Sequence, residues 1–178
     1  GNDLPTIARE KAGIIKPETP VIIGESQPET RPVFEEVASD KHADITFADE
    51  NWQYHVSHFV PDMSLAIHHL RNDEQFDLNC DLTGYYQARN IVTCLEALYQ
   101  INRTSRHFPT DTWQKGLANV KQHTGLRGRW EILRHQPLTI CDIAHNPDAI
   151  KWHKAQLQHY YYQNLHIIFG MTNEKELG

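Results

Sequence analysis

The sequence predicts an α/β fold, and three observations carry the prediction. Two short apolar runs, Pro20-Val21-Ile22-Ile23-Gly24 and His166-Ile167-Ile168-Phe169-Gly170, read as buried strands, the first of parallel type. Ile91, Leu95, Leu98 and Ile101 recur at spacings of three and four, which marks an amphipathic helix. The last third reads strand, strand, helix, strand, and strand–helix–strand is the unit of a parallel sheet.

The elements follow in order. Pro5 to Lys16 reads as a short helix, capped by Asp3 or Thr6, with Ala12-Gly13 and Lys16-Pro17 at its end. After the first strand, Val33, Phe34, Val37 and Ala38 fall on helical spacing within Thr30 to Lys41. Ala43 to Phe47 is a second strand. Trp52 to His58 and Met63 to Leu70 alternate and read as antiparallel strands, with a turn at Asn72-Asp73-Glu74. The amphipathic helix runs from Tyr85 to Ile101. Thr110 to Val120 is another helix, with Trp113, Leu117 and Val120 on one side. Gly125 and Gly128 mark a linker or hinge. Beyond it, Trp130 to Leu133 and Leu138 to Ile143 are extended, and Asn146-Pro147 opens a helix to about Tyr160.

Composition narrows the function classes. The 178 residues are 39% apolar and 22% charged, which excludes a disordered or low-complexity chain and allows one domain and a part. A formal net charge of −6 argues against a nucleic-acid binder. Cys80, Cys94 and Cys141 form neither a CxxC pair nor a zinc spacing, so reduced thiols in a cytoplasmic protein are expected. No run approaches the roughly 18 apolar residues of a membrane span, so no membrane partner is expected. No segment reads as a signal peptide, and a start at Gly1 rather than Met suggests a chain processed or cut from something longer. Twelve histidines include the adjacent pair His68-His69, whose side chains point to opposite faces of a strand, so a surface role is expected there rather than a metal site.

Four segments carry chemistry. In Cys141-Asp142-Ile143-Ala144-His145-Asn146-Pro147 a strand delivers an acid at its carboxyl end just before a helix begins, the crevice where open α/β sheets bind ligands. The helix N-terminus suits phosphate, Asp142 can accept from ribose hydroxyls, and His145 can reach a phosphate oxygen. Asp142 and Asn146 equally fit turn and cap residues. In Gly125-Leu126-Arg127-Gly128-Arg129-Trp130-Glu131, two arginines in a glycine turn fit either phosphate contact or a solvated loop. Arg9-Glu10-Lys11-Ala12-Gly13 reads, by spacing, as an exposed helix face. Gln87 and Asn90 at the start of the amphipathic helix fit a cap or a purine edge.

Together these segments resemble the folylpolyglutamate synthase/dihydrofolate synthase family of the Mur ligase superfamily. The resemblance rests on Ile7 to Pro17, Tyr86-Gln87-Ala88-Arg89-Asn90 with Leu95 to Leu98, Gly128-Arg129-Trp130-Glu131, Asp142 to Pro147 and Phe169-Gly170-Met171, in matching order. It implies an α/β protein made of the C-terminal half of a P-loop-type central domain (1–124) and the start of a Rossmann-like C-terminal domain (125–178). It implies ATP-dependent joining of L-glutamate to folate or dihydropteroate through an acyl phosphate, in a cytoplasmic, monomeric parent. Asn90 then contacts adenine, Arg129 the phosphates, Asp142 the nucleotide ribose, and His145 the phosphates or metal. Lys11 is carbamylated and holds Mg2+ through its carbamate. Two departures qualify this reading: no GxxGKGS-type loop occurs in the chain, and Glu174-Lys175-Glu176 stands where the family often has Asp-Lys-Asp. The chain alone is therefore expected to be inactive. Another Mur-type amide ligase, or a non-catalytic nucleotide-binding module, are the alternatives.

Overall fold

The computed structural model describes residues 3–104 and 108–170; Met171 and Glu174-Lys175-Glu176 lie outside the described residues. Helix α1 (Leu4–Ala12) begins at Asp3, whose side chain accepts from the Thr6 amide at 2.7 Å, and has proline in its first turn. Strand β1 (Val21–Ile23), helix α2 (Arg31–Asp40) and strand β2 (Ile45–Phe47) form one unit. β1 and β2 pair in parallel, Val21 opposite Ile45, in keeping with the parallel type expected of the first run. β1 is half-buried rather than buried. Ala12, Ile15, Ala38 and Ala43 form a small core between these elements.

A 3-10 turn (Ala48–Glu50) leads into an antiparallel meander, β3 (Trp52–His58), β4 (Met63–His69) and β5 (Glu74–Cys80). The first two strands match the alternation read from the sequence. The third is an element the sequence reading does not include: Phe76, Leu78 and Cys80 recur at a period of two, a pattern hidden among four polar residues. Met63, Leu65 and Ile67 of β4 and Leu78 and Cys80 of β5 are buried against Ala88, Ile91, Val92 and Leu95 of helix α3 (Gln87–Thr104). This is the main core, and it fixes α3 as the element on which the candidate site is built. Burial pushes the Cys80 thiol up to about 11, and all three cysteines are free.

Three expectations need correction. His69 is not at the surface: it is fully buried, its ring centroid 4.4 Å from both Trp52 and Tyr99. Its neighbour His68 faces the other side of β4 and pairs with Asp73 at 2.7 Å, so the opposite-faces rule holds while the surface role fails for one of the two. The helix expected to reach Val120 stops at Ala118 (α4, Thr110–Ala118), and a short α5 (Val120–Thr124) follows. The break has a cause: the Asp81 carboxylate accepts from the Val120 and Lys121 amides, 3.1 and 2.8 Å away, and caps the second helix from outside. The third correction concerns the chain's last apolar run.

Beyond Gly125, which closes α5 at φ 68, β6 (Glu131–His135) and β7 (Leu138–Cys141) pair antiparallel, and α6 (Pro147–Leu157) follows. The expected parallel strand at 166–170 does not form among the described residues. That run joins no sheet, and Ile168 is fully exposed. A strand needs a neighbour for its N–H and C=O groups, and β7 is paired with β6 instead.

The core makes a stability prediction. Leu65→Ala should lower the unfolding free energy in urea by about 2–5 kcal/mol, because it empties a fully buried site. Ala66→Ser, one residue on but exposed, should change it by less than about 0.5 kcal/mol.

Candidate functional site

Two stretches of chain face each other across a cleft of about 500 Å³. One wall comes from Gly24 and Glu25, at the carboxyl end of β1, and from the first turns of α3, with Tyr86, Arg89, Asn90 and Thr93. The other comes from Arg129, the 142–146 turn, and Asp148, Ala149 and Trp152 on α6. Ligands in α/β sheets bind at such strand carboxyl ends. Four of the five residues singled out by sequence, Asn90, Arg129, Asp142 and His145, line this one cleft. The fifth, Lys11, does not: it is exposed on α1 and is not among the lining residues.

Asp142 organises the second wall. Its side chain is 7% exposed. Oδ2 accepts from the Tyr86 hydroxyl at 2.8 Å and from the Trp130 amide at 2.7 Å. Oδ1 accepts from the Ala144 amide at 2.8 Å, which folds the turn after β7. His153 Nε2 of α6 stands 3.4 Å from Oδ1 without hydrogen-bond geometry, and that buried ring nitrogen has no hydrogen-bond partner among the described residues. Burial first, then the bond to Asp142, pushes the Tyr86 phenol well above its ordinary range, so it remains a donor throughout the physiological pH range.

The turn before β6 is held in an uncommon conformation. Trp130 has φ 48, a left-handed value that a bulky residue adopts only when its surroundings impose it. Asp142 takes its amide, its indole donates to the Tyr160 hydroxyl at 3.1 Å, and the residue is 3% exposed. Gly128, also at φ 68, accepts from the Ile143 amide through its carbonyl, and its own amide donates to Glu131. That amide, then the adjacent Arg127, hold the Glu131 carboxyl below its usual range, so its stabilising contribution is present above the ordinary carboxylate pKa and fades as pH falls through the lowered one. Arg129 sits between these two pinned residues, half-buried, and lines the cleft.

The remaining lining residues are aimed by local bonds. Asn90 donates through Nδ2 to Gln87 Oε1 at 2.9 Å, which orients its amide and leaves Oδ1 as an acceptor. His145 donates through Nδ1 to the Ile143 carbonyl at 3.0 Å, leaving Nε2 for a ligand. Asn146 caps α6 by accepting from the Ala149 amide at 2.7 Å, so its cap reading holds. Because Pro147 has no N–H and Ala149 is capped, the dipole of α6 reaches the cleft with Asp148 as its free first-turn amide. Arg89 pairs with Glu25 at 2.9 Å and lies 4.5 Å above the Trp152 ring, joining both walls.

Below the cleft the walls are fastened by an amide. Gln156 is 1% exposed; its Nε2 donates to the Thr83 carbonyl at 2.7 Å and its Oε1 accepts from the Tyr85 amide at 2.9 Å. Sequence reasoning passed over His153 and Gln156, although their spacing of three on α6 places both on one face. Among the described residues, no group of three or more His, Cys, Asp or Glu side chains is placed to hold a metal ion. These residues do not by themselves form a magnesium site. No helix of the described residues is long and apolar enough to cross a membrane.

Comparison with known proteins agrees with the resemblance. Residues 128–178 match the family model of the Mur ligase, glutamate ligase domain. The chain is 26% identical over its whole length to a probable bifunctional folylpolyglutamate synthase/dihydropteroate synthase of Haloferax volcanii, covering 21% of that protein. It is 28% identical to the dihydrofolate synthase/folylpolyglutamate synthase of Escherichia coli K12, covering all of this chain and 38% of that one. A solved folylpolyglutamate synthase complex with AMPPCP and folate superposes on 92% of this chain with a TM-score of 0.78 at 25% identity, over 39% of its own length. The chain thus spans between about a fifth and two fifths of the length of these relatives. The resemblance read from the motifs and the α/β reading are both borne out.

The pinned turn predicts contrasting glycine effects. In Gly128→Ala the new Cβ falls 2.6 Å from Ile143 Cγ2 on a left-handed backbone, so urea denaturation should show a loss of about 1–3 kcal/mol. Gly116→Ala, in mid-helix with no atom within 4 Å, should gain about 0.5–1 kcal/mol.

Proposed function

We propose that this chain, related to the folylpolyglutamate and dihydrofolate synthases, is the nucleotide-facing segment of an ATP-dependent ligase that joins L-glutamate to folate, and to dihydropteroate as well. Residues 1–124 are then the later part of the central domain and 125–178 the start of the glutamate-ligase domain. The observation that carries this reading is the convergence of Asn90, Arg129, Asp142 and His145, from separate stretches of sequence, on one cleft.

The roles follow from the bonding. Arg129, on its pinned turn, meets phosphate oxygens with a fork of donors, and the α6 N-terminus adds its dipole. Asn90 Oδ1 accepts from the exocyclic amine of the purine. Asp142 lies on the nucleotide side, where the resemblance gives it the ribose. His145 offers Nε2 to a phosphate oxygen. The substrate carboxylate attacks the terminal phosphoryl group and ADP leaves. The glutamate amine then attacks the acyl phosphate, an amide forms, and phosphate and a proton depart. Catalysis of this kind is chiefly positioning and charge stabilisation.

Lys11 belongs to the same proposal by resemblance. Its exposure lets carbon dioxide reach the amine, and the carbamate formed with loss of a proton is an anionic oxygen donor suited to magnesium. The other ligands must come from outside the described residues. A second reading, a non-catalytic nucleotide-binding module, describes the 178 residues alone, since they contain no GxxGKGS-type phosphate loop.

Two experiments test the reading. A longer reading frame carrying this segment should release ADP only when ATP, glutamate and a folate or dihydropteroate are all present, and Arg129→Ala should cut kcat/KM for ATP by about 10²–10³. Unchanged kinetics in that variant would remove the assignment, and the 178-residue chain alone should show no turnover. Separately, Lys11→Ala should lower activity with partial rescue by short carboxylates, and intact mass at high bicarbonate should show one carbon dioxide adduct on the unsubstituted protein. No adduct together with full Lys11→Ala activity would refute the carbamate.

A further inference from the structure

We propose that Tyr86 is a positioning residue for nucleotide binding, acting through Asp142. The inference rests on the reading of the cleft as a nucleotide site. Tyr86 stands just before α3 (Gln87–Thr104), one turn ahead of Asn90, and its hydroxyl reaches 56 residues along the chain to Asp142 Oδ2. The same oxygen accepts from the Trp130 amide. Trp130 is held at φ 48 and directly follows Arg129, so the tyrosine bond and the aim of Arg129 share one acceptor atom. The other oxygen folds the turn that presents His145, whose Nδ1 is tied to Ile143 within that turn. One carboxylate therefore sets the backbone on both sides of the phosphate-facing wall, and Tyr86 is its link to the wall that carries Asn90.

The tyrosine ring has little freedom to let go. A Cβ at Gly84 would lie 2.9 Å from a ring carbon of Tyr86, so the chain at Gly84 packs directly against the ring. The His153 ring lies beside it, at a centroid distance of 6.4 Å. Losing the hydroxyl would leave the ring packed and Oδ2 of Asp142 with the Trp130 amide alone, which loosens the turn without emptying a core site.

The test uses the intact protein that contains this segment and AMPPCP as probe. Tyr86→Phe should weaken AMPPCP binding in calorimetry, and raise KM for ATP, by about tenfold, as expected for loss of a hydrogen bond to a charged partner. kcat should change less than about twofold, and KM for glutamate should not move. In an Asp142→Asn background the same substitution should have no further effect, since the two act as one unit. Unchanged AMPPCP affinity in Tyr86→Phe with only a lowered melting temperature would reduce the tyrosine to a structural role and overturn the proposal. So would independent, multiplying effects of the two substitutions. Failure of the unsubstituted protein to bind AMPPCP would instead overturn the nucleotide reading, and this inference with it.

Discussion

A carboxylate that is 7% exposed must find its hydrogen bonds inside the protein, because burying such a charge without partners costs several kcal/mol. Asp142 finds them on the residue leading into α3, on the turn before β6 and on its own turn after β7, with the α6 imidazole of His153 alongside. Its hydrogen bonds among the described residues come from one hydroxyl and two backbone amides, all neutral donors. That choice couples the parts. The left-handed Trp130 is tolerated because its amide has a charged acceptor, and Arg129 is aimed because Trp130 is held. Strain at one residue and satisfaction of another are two sides of the same arrangement.

The two walls of the cleft meet through polar contacts more than apolar ones. The main apolar core lies between the three-stranded meander and α3, and does not extend to α6. Gln156 joins α6 to Thr83 and Tyr85 with both ends of one amide, as a short stretch of backbone would. Arg89 adds a charge contact with Glu25 and a ring contact with Trp152. Junctions of this composition resemble those between domains that move relative to one another. They are adequate to hold a cleft in register while leaving it able to accept a ligand.

Much of this was legible in the sequence, and the rest failed for physical reasons. Helix entries at Asp3 and Asn146, the strands at Val21–Ile23 and Ile45–Phe47 and the long helix on Ile91, Leu95 and Leu98 follow from local chemistry that acts within a few residues. The convergence of Asn90, Arg129, Asp142 and His145 on one cleft is not local, and the sequence pointed to it only through the family resemblance. What did not show was decided by partners far away in sequence. Asp81 caps α5 from 39 residues upstream of Val120. His69 is buried because Trp52 and Tyr99 enclose it. The run at 166–170 has strand composition but no strand to pair with among the described residues. Asp142 looked like a ligand residue or a turn residue. The structure gives it the turn and adds a tyrosine 56 positions earlier, which no spacing rule connects to it.

The central claim is that Asp142 holds a phosphate-facing wall in place across the cleft. A crystal structure of the intact protein with AMPPCP tests it most directly. The account predicts phosphates between the Arg129 guanidinium and the N-terminus of α6, with the Tyr86–Asp142 and Trp130–Asp142 bonds retained. A nucleotide bound elsewhere, or an Asp142 turned away from Tyr86 while the phosphates keep the same place, would contradict it.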